Sequence, residues 1–303
     1  MKEVNALQDF GSYGLLMLST IMFGLMFLFN DVFRKNYGNE ISATFVQNLG
    51  GGIFGFIVLV LINGFKFEFT IFAFIMAVIS AVNGLLYTFC SLKALGKINL
   101  SLYALFSMLG GMVLPFLSGI LFHGEEVTVG KIVCLIFVFA ALFLTVEKLG
   151  KKSGTIYYIG IFVFNGMSGV MAKLYYSLPF DKVSSAGYSV LCALVSLLIA
   201  AVPLFFIKCN VRKINLASIF AMAGCGIFNR VANWFVLLAL VSLPASAQYP
   251  FITGGTMIVS TVISLFSKNK PNKKEIIAVI LAFIGVLVLV LLPDVKIFQI
   301  SWR

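Results

Sequence analysis

Ten long apolar stretches, separated by short polar ones, account for nearly the whole chain. They cover Tyr13–Asn30, Ala43–Ile62, Phe69–Leu92, Leu100–Phe122, Val127–Val146, Ile156–Tyr175, Tyr188–Ile207, Ile214–Val241, Ala245–Ser267 and Ile276–Leu292. A helix crosses the hydrocarbon core of a bilayer with about 20 mostly apolar residues, and about 17 suffice. The pattern predicts an all-α polytopic membrane protein with ten transmembrane helices.

The runs form two sets of five, because a shift of 145 positions carries the first five onto the second five. Under that shift Gly24 meets Gly169, Met26 meets Met171, Leu92 meets Leu237, Ser101 meets Ser246, Phe106 meets Phe251 and Gly110 meets Gly255. A few identities arise by chance among helices rich in Leu, Phe and Gly. A common register of ten boundaries does not. Five is an odd number of spans, so the second copy enters the bilayer from the opposite side. Residues 1–150 and 151–303 therefore read as two inverted five-helix repeats, the plan of secondary transporters.

Composition removes the other classes. Apolar residues make up 61% and charged ones 11%, with mean hydropathy +1.07, values foreign to a soluble domain. The first twelve residues carry Lys2, Glu3 and Asp9, and no small-x-small cleavage site follows, so the first run reads as a retained helix. Cys90, Cys134, Cys192, Cys209 and Cys225 lie in or beside apolar runs without a CxxC pair, so neither disulfides nor a metal site is expected. His123 stands alone in a loop, and no nucleophile, base or metal ligands converge at one depth. An enzyme is not expected, nor a cofactor.

The net charge of +11 does not indicate nucleic acid, because the basic residues are spread through the loops. Lys151–Lys152, Arg212–Lys213 and Lys268, Lys270, Lys273 and Lys274 read as topology signals and contacts to anionic lipid. With the in-helix Lys173 and Arg230 set aside, the side holding the termini and the even-numbered loops carries six basic residues. The other side carries fourteen, and positive charge marks the cytoplasm, so this count puts both termini outside.

Polar side chains at membrane depth are the candidates for function, since each needs a partner there. Arg230 stands near the middle of the eighth run, where snorkelling is hardest and an arginine costs about 2.5–3.5 kcal/mol even on the mildest scale. It reads as a ligand for solute, or else as a structural arginine bonded to carbonyls. Trp234 is one turn on, while Asn229 and Asn233 form the adjacent face. Asn83 and Tyr87 share a face of the third run. Gln47 and Asn48 in the second run, Asn165 in the sixth, Tyr188 in the seventh, and Gln248 with Tyr249 beside Pro250 complete the cavity candidates. Thr253, Thr256, Ser260 and Ser264 recur at helical spacing and read as helix-to-helix glue, as Gly51 and Gly55 do in a GxxxG.

Several local motifs resemble the drug/metabolite transporter superfamily, in its ten-helix EamA-like branch. Leu121-Phe122-His123-Gly124-Glu125 is similar to the apolar-x-Gly-Glu ending of that branch's fourth helix. Trp234-Phe235 followed by Ala239-Leu240 resembles the ending of its eighth helix, and Tyr249-Pro250-Phe251 its proline-bearing ninth. The second copy departs from this, with Asn269-Lys270 where Gly-Glu would stand. The resemblance implies cytoplasmic termini, against the charge count. The related four-helix multidrug transporters carry a glutamate in helix one; its equivalents here are Asn165 and Thr20, which cannot ionise. All eleven acids lie at helix ends or in loops, so exchange built on a membrane carboxylate is not expected.

The reading is a multi-pass secondary transporter of the plasma (inner) membrane, carrying a small organic solute by alternating access. Arg230, amides and aromatics suit an amino acid or another carboxylate-bearing metabolite. The alternatives are a multidrug or organic-cation exporter and, more remotely, a non-transporting receptor or scaffold. Its partners are then the solute, the lipid bilayer, and either a coupling ion (H+ or Na+) or an exchanged solute. Nucleic acid is not among them, and a monomer is expected.

Overall fold

Each apolar run becomes a helix in the computed structural model. In chain order these are α1 (Lys2–Tyr37), α2 (Ile41–Ile62), α3 (Ile71–Leu95), α4 (Leu100–His123), α5 (Val129–Val146), α6 (Thr155–Ser177), α7 (Ser185–Leu204), α8 (Leu216–Ala239), α9 (Ala245–Leu265) and α10 (Lys273–Leu291). Two short strands, β1 (Val127–Thr128) and β2 (Lys296–Phe298), pair antiparallel. The structure describes residues 2–123, 126–146, 155–207, 213–239, 245–267, 270–292 and 296–298, without the side chains of 2–10, 123, 138, 142, 145–146, 245–247, 249–250, 289–290 and 296–298. Gly124, Glu125, Asn269 and seven of the twenty loop cations counted above therefore lie outside the described residues.

Among the described residues, α1 to α4 and α6 to α8 are long and apolar enough to cross a membrane, while α5 and α9 contribute the shorter apolar stretches Val129–Ala141 and Phe251–Leu265. The architecture is that of an all-α polytopic membrane protein. Both ends of α1 pass clearly beyond its apolar run: it begins eleven residues before Tyr13 and continues seven residues beyond Asn30. Asp31 pairs with Arg34 at 2.8 Å and with Lys35 at 2.6 Å, one turn on, so charged residues prolong the helix. Hydrophobicity marks where the bilayer ends, and the helix need not end there.

Eight helices pack into a closed ring in the order α2, α8, α1, α9, α4, α6, α3, α7 and back to α2. Helices α5 and α10 pair with each other outside the ring, against α4 and α9. Every neighbour in the ring comes from the other half of the chain, so neither half is a separate body. The principal pairs are unchanged when each helix number advances by five. Thus α1·α8 answers to α6·α3, α2·α8 to α7·α3, and α4·α6 to α9·α1, while α2·α7, α4·α9 and α5·α10 answer to themselves.

Close approach at the crossings depends on glycine. A Cβ on Gly226 would collide with the carbonyl of Gly51, and one on Gly110 with the backbone of Phe162. These contacts let α2 touch α8, and α4 touch α6, backbone to backbone, as small residues permit inside membranes.

Polar links tie the loops at both rims. At the rim holding the α2–α3 and α6–α7 loops, Ser184 caps α7 by accepting from Gly187 N at 3.0 Å. Its own N–H and hydroxyl both donate to the Glu68 carboxylate at 2.6 Å. Thr70 donates to Asp181 O at 3.1 Å beside it. At the opposite rim Lys213 pairs with Glu40 at 3.2 Å, and Asn99 donates to Glu275 at 2.5 Å.

The two bonds from Ser184, with help from nearby Lys66, hold the Glu68 carboxyl below its ordinary value of 4.5. Its folded-state pKa is thus depressed, so its stabilisation is full above about pH 4.5 and fades as pH falls through the lower folded value. Glu68→Gln is expected to lower the melting temperature near neutral pH by an amount worth no more than about 1 kcal/mol, because the carboxylate is mostly solvated. Melting curves of the two proteins should converge under acid. A difference that persists unchanged below pH 4 would refute the link.

Candidate functional site

The ring encloses a cavity of about 290 Å³, and all eight ring helices contribute to its wall while α5 and α10 contribute none. Its wall runs from the middle of the helices toward the rim that holds the α2–α3 loop. On α8 the wall reaches Val236 and Leu237, and on α2 it reaches Leu59. Toward the other rim the packed cluster of Phe33, Tyr37, Ala43, Val46, Leu92, Ala221 and Met222 fills the space.

Arg230 enters the cavity because α2 has no side chain at Gly55, where the arginine's Cγ packs. Within α8 it lies nine residues before the end of the helix, too far to carry its charge to the rim. The thiols of Cys192 and Cys225 are near it. Among the described residues its guanidinium makes no hydrogen bond and no ion pair. Five N–H donors and a full charge therefore face the cavity.

Seven further candidates line the same space: Asn229, Asn233, Gln47, Asn48, Tyr87, Asn165 and Tyr188. Asn233 Nδ2 donates to the carbonyl and to Oδ1 of Asn229, both at 2.7 Å. Tyr87 Oη lies 2.8 Å from both Tyr103 Oη and Ser107 Oγ, and Tyr103 in turn donates to Ser91 at 2.8 Å. Asn165 Nδ2 donates to Ser107 O at 2.7 Å, which joins α6 to this hydroxyl network on α3 and α4. Tyr188 stacks on Tyr175 with ring centroids 3.8 Å apart.

Three candidates stand off the wall. Asn83 donates to Phe164 O at 2.8 Å and to Ser168 Oγ at 2.9 Å, bolting α3 to α6. Trp234 packs into the seam of α2 and α7 with Leu59, Val60, Val190 and Ala193. Four residues advance a helix by about 400°, so it is turned some 40° from Arg230 and into that seam. Gln248 is fully buried within α9, one turn away from Ile252 and Thr253, which do reach the wall. The side chain of Tyr249 lies outside the described residues. The hydroxyl stripe of α9 is buried among helices, and only Thr253 touches the cavity.

Asn30 is the residue that sequence reasoning missed. It lines the cavity, accepts from Gln47 Nε2 at 3.0 Å and from Cys225 Sγ at 3.2 Å, and is 4% exposed. The apolar run ends at Asn30, which made it look like a boundary. Its spacing from Phe23 and Met26, seven and four residues before it, marked it as belonging to their face.

A ring of membrane-spanning helices around a cavity with several polar side chains in its wall is an arrangement suited to a membrane transporter. Residues 152–291, just under half of the chain, match the model of the EamA-like transporter family, which is part of the drug/metabolite transporter superfamily. A solved chain described only as "Crystal structure of protein" shares the fold with a TM-score of 0.60 at 16% identity, over 96% of this chain and 98% of its own. No curated protein matches the sequence.

Proposed function

We propose that the protein is a secondary transporter of the plasma membrane that carries a small organic solute bearing a carboxylate or similar anionic group. The observation that carries this reading is Arg230: a guanidinium on the wall of the cavity inside the helix ring, with no anion among the described residues to pair with it. A charge held in such a place is costly until an anion arrives, so the solute both neutralises it and gains affinity. The cavity is near the lower end of the size range for small-molecule sites, which suits a solute the size of an amino acid.

Movement follows from the two-copy plan. Residues 1–150 and 151–303 act as inverted repeats, and rocking of one set against the other exposes the cavity to each side in turn. The rim links support this plan. Glu68 and Lys213 are 145 positions apart, and each reaches the start of a helix from the other half, at Ser184 before α7 and at Glu40 before α2.

Counterflow in liposomes tests the reading. Protein reconstituted with trapped unlabelled amino and organic acids should accelerate entry of the same labelled solute. Exchange restricted to quaternary amines would favour the exporter of organic cations instead. Binding without counterflow would favour a receptor.

A further inference from the structure

We infer that the cavity is a two-point site, with Arg230 taking the anionic end of the solute and the Asn30–Gln47 amide pair taking a hydrogen-bond donor at its other end. This rests on the anion reading of Arg230 and adds a requirement that the arginine does not impose.

The amide pair has a defined orientation. The Cys225 thiol and Gln47 Nε2 both donate to Asn30 Oδ1, which makes that oxygen the shared acceptor. Asn30 Nδ2 faces Met26 Sδ at 3.4 Å. With its nitrogen committed to Asn30, Gln47 presents Oε1 as an acceptor, and that oxygen is buried without a hydrogen-bond partner. Gln47 is only 3% exposed and belongs to the cavity wall, so a donor can reach it only from inside the cavity. A buried carbonyl oxygen without a donor is rare and destabilising, and the missing partner must carry an N–H or O–H.

The two ends are separated along one seam. Gly51 of α2 meets Gly226 of α8, and Gly55 meets the stem of Arg230. Gln47 precedes Gly55 by eight residues, about 12 Å along the axis of α2. The arginine side chain tilts back toward the start of its helix, which leaves a gap on the order of 8 Å between the groups. Gly51, Gly52 and Met26 line the intervening wall, together with the Cys225 thiol, whose proton is already committed to Asn30. The complementary solute has an anion, a short apolar spacer and a terminal donor. An α-amino acid carries its donor too near the carboxylate to reach Gln47.

Binding to the purified full-length protein decides this, with hexanoate, α-aminohexanoate, ω-aminohexanoate and ω-hydroxyhexanoate as probes. The two ω-substituted acids should bind about tenfold tighter than hexanoate or better, with the α-amino acid near hexanoate. The hydroxy acid separates donation from positive charge. In Gln47→Met the ω-donor advantage, measured against hexanoate on that same variant, should shrink to about twofold or less. Equal binding of hexanoate and the ω-donor acids, as when cavity water alone satisfies Gln47, or binding by none of them, overturns the two-point site. That comparison uses unaltered protein, so it holds even where Gln47→Met fails to fold. If Arg230→Leu binds all four as before, the carboxylate reading itself falls. If Arg230→Leu binds none and the ω-donor advantage survives Gln47→Met, only the second point is wrong.

Discussion

Arg230→Leu is expected to abolish exchange of carboxylate-bearing solutes and to leave the protein folded. The leucine removes all the guanidinium donors and the only charge on the α8 wall, while its bulk still fills the space beside Gly55. Because the guanidinium has no protein partner among the described residues, its removal breaks no internal bond. A buried charge without a partner is replaced by an apolar residue at no cost or with a gain, so the melting temperature should hold or rise. Arg230→Lys keeps the charge but loses the planar fork that grips a carboxylate at two points, so exchange should fall strongly without vanishing. Asn233→Ala should cost less, about 1–3 kcal/mol if its amide bonds the solute. Gln248→Ala, away from the wall, should register in stability more than in transport. Exchange assays on the four variants, each matched for folded protein, test the series. Normal exchange by Arg230→Leu would end the assignment.

Gly226→Ala should have a comparably large effect by a different route. Its new methyl would meet the carbonyl of Gly51, which is helix backbone and cannot swing aside. Helices α2 and α8 must then separate along the seam that seats Arg230 against Gly55. Overpacking of a well-packed interior costs about 1–3 kcal/mol, and a backbone obstacle belongs at the upper end. The variant should melt well below the unaltered protein and lose exchange. Gly14→Ala is the control: nothing lies within 4 Å of its Cβ position, and alanine favours a helix by up to about 1 kcal/mol. If Gly226→Ala and Gly14→Ala melt alike, the close seam is not a determinant of the fold.

Much of this architecture is legible in the chain itself. Ten apolar runs of bilayer length become ten helices, because each long run of apolar residues satisfies its backbone internally only as a helix. The GxxxG of Gly51 and Gly55 announces a close crossing, since absence of a side chain is visible in a sequence. The depth of Arg230 is equally plain, because an arginine far from both ends of an apolar run cannot reach water.

Other features exist only in three dimensions. The sequence ordered the helices along the chain, but only packing interleaves the halves, setting α8 between α1 and α2 and α6 between α3 and α4. The same holds for the face that each helix turns inward. Lipid tails are as apolar as leucine, so a residue facing lipid and one facing a neighbouring helix look alike in hydrophobicity. A soluble helix declares its buried face by contrast with water; these helices have little such contrast to offer. For that reason Asn83 and Trp234 read as cavity residues but serve as a bolt and a seam filler. Asn30 likewise read as the end of a run, and the tertiary structure joins it to Gln47 and Cys225, brought together from three helices.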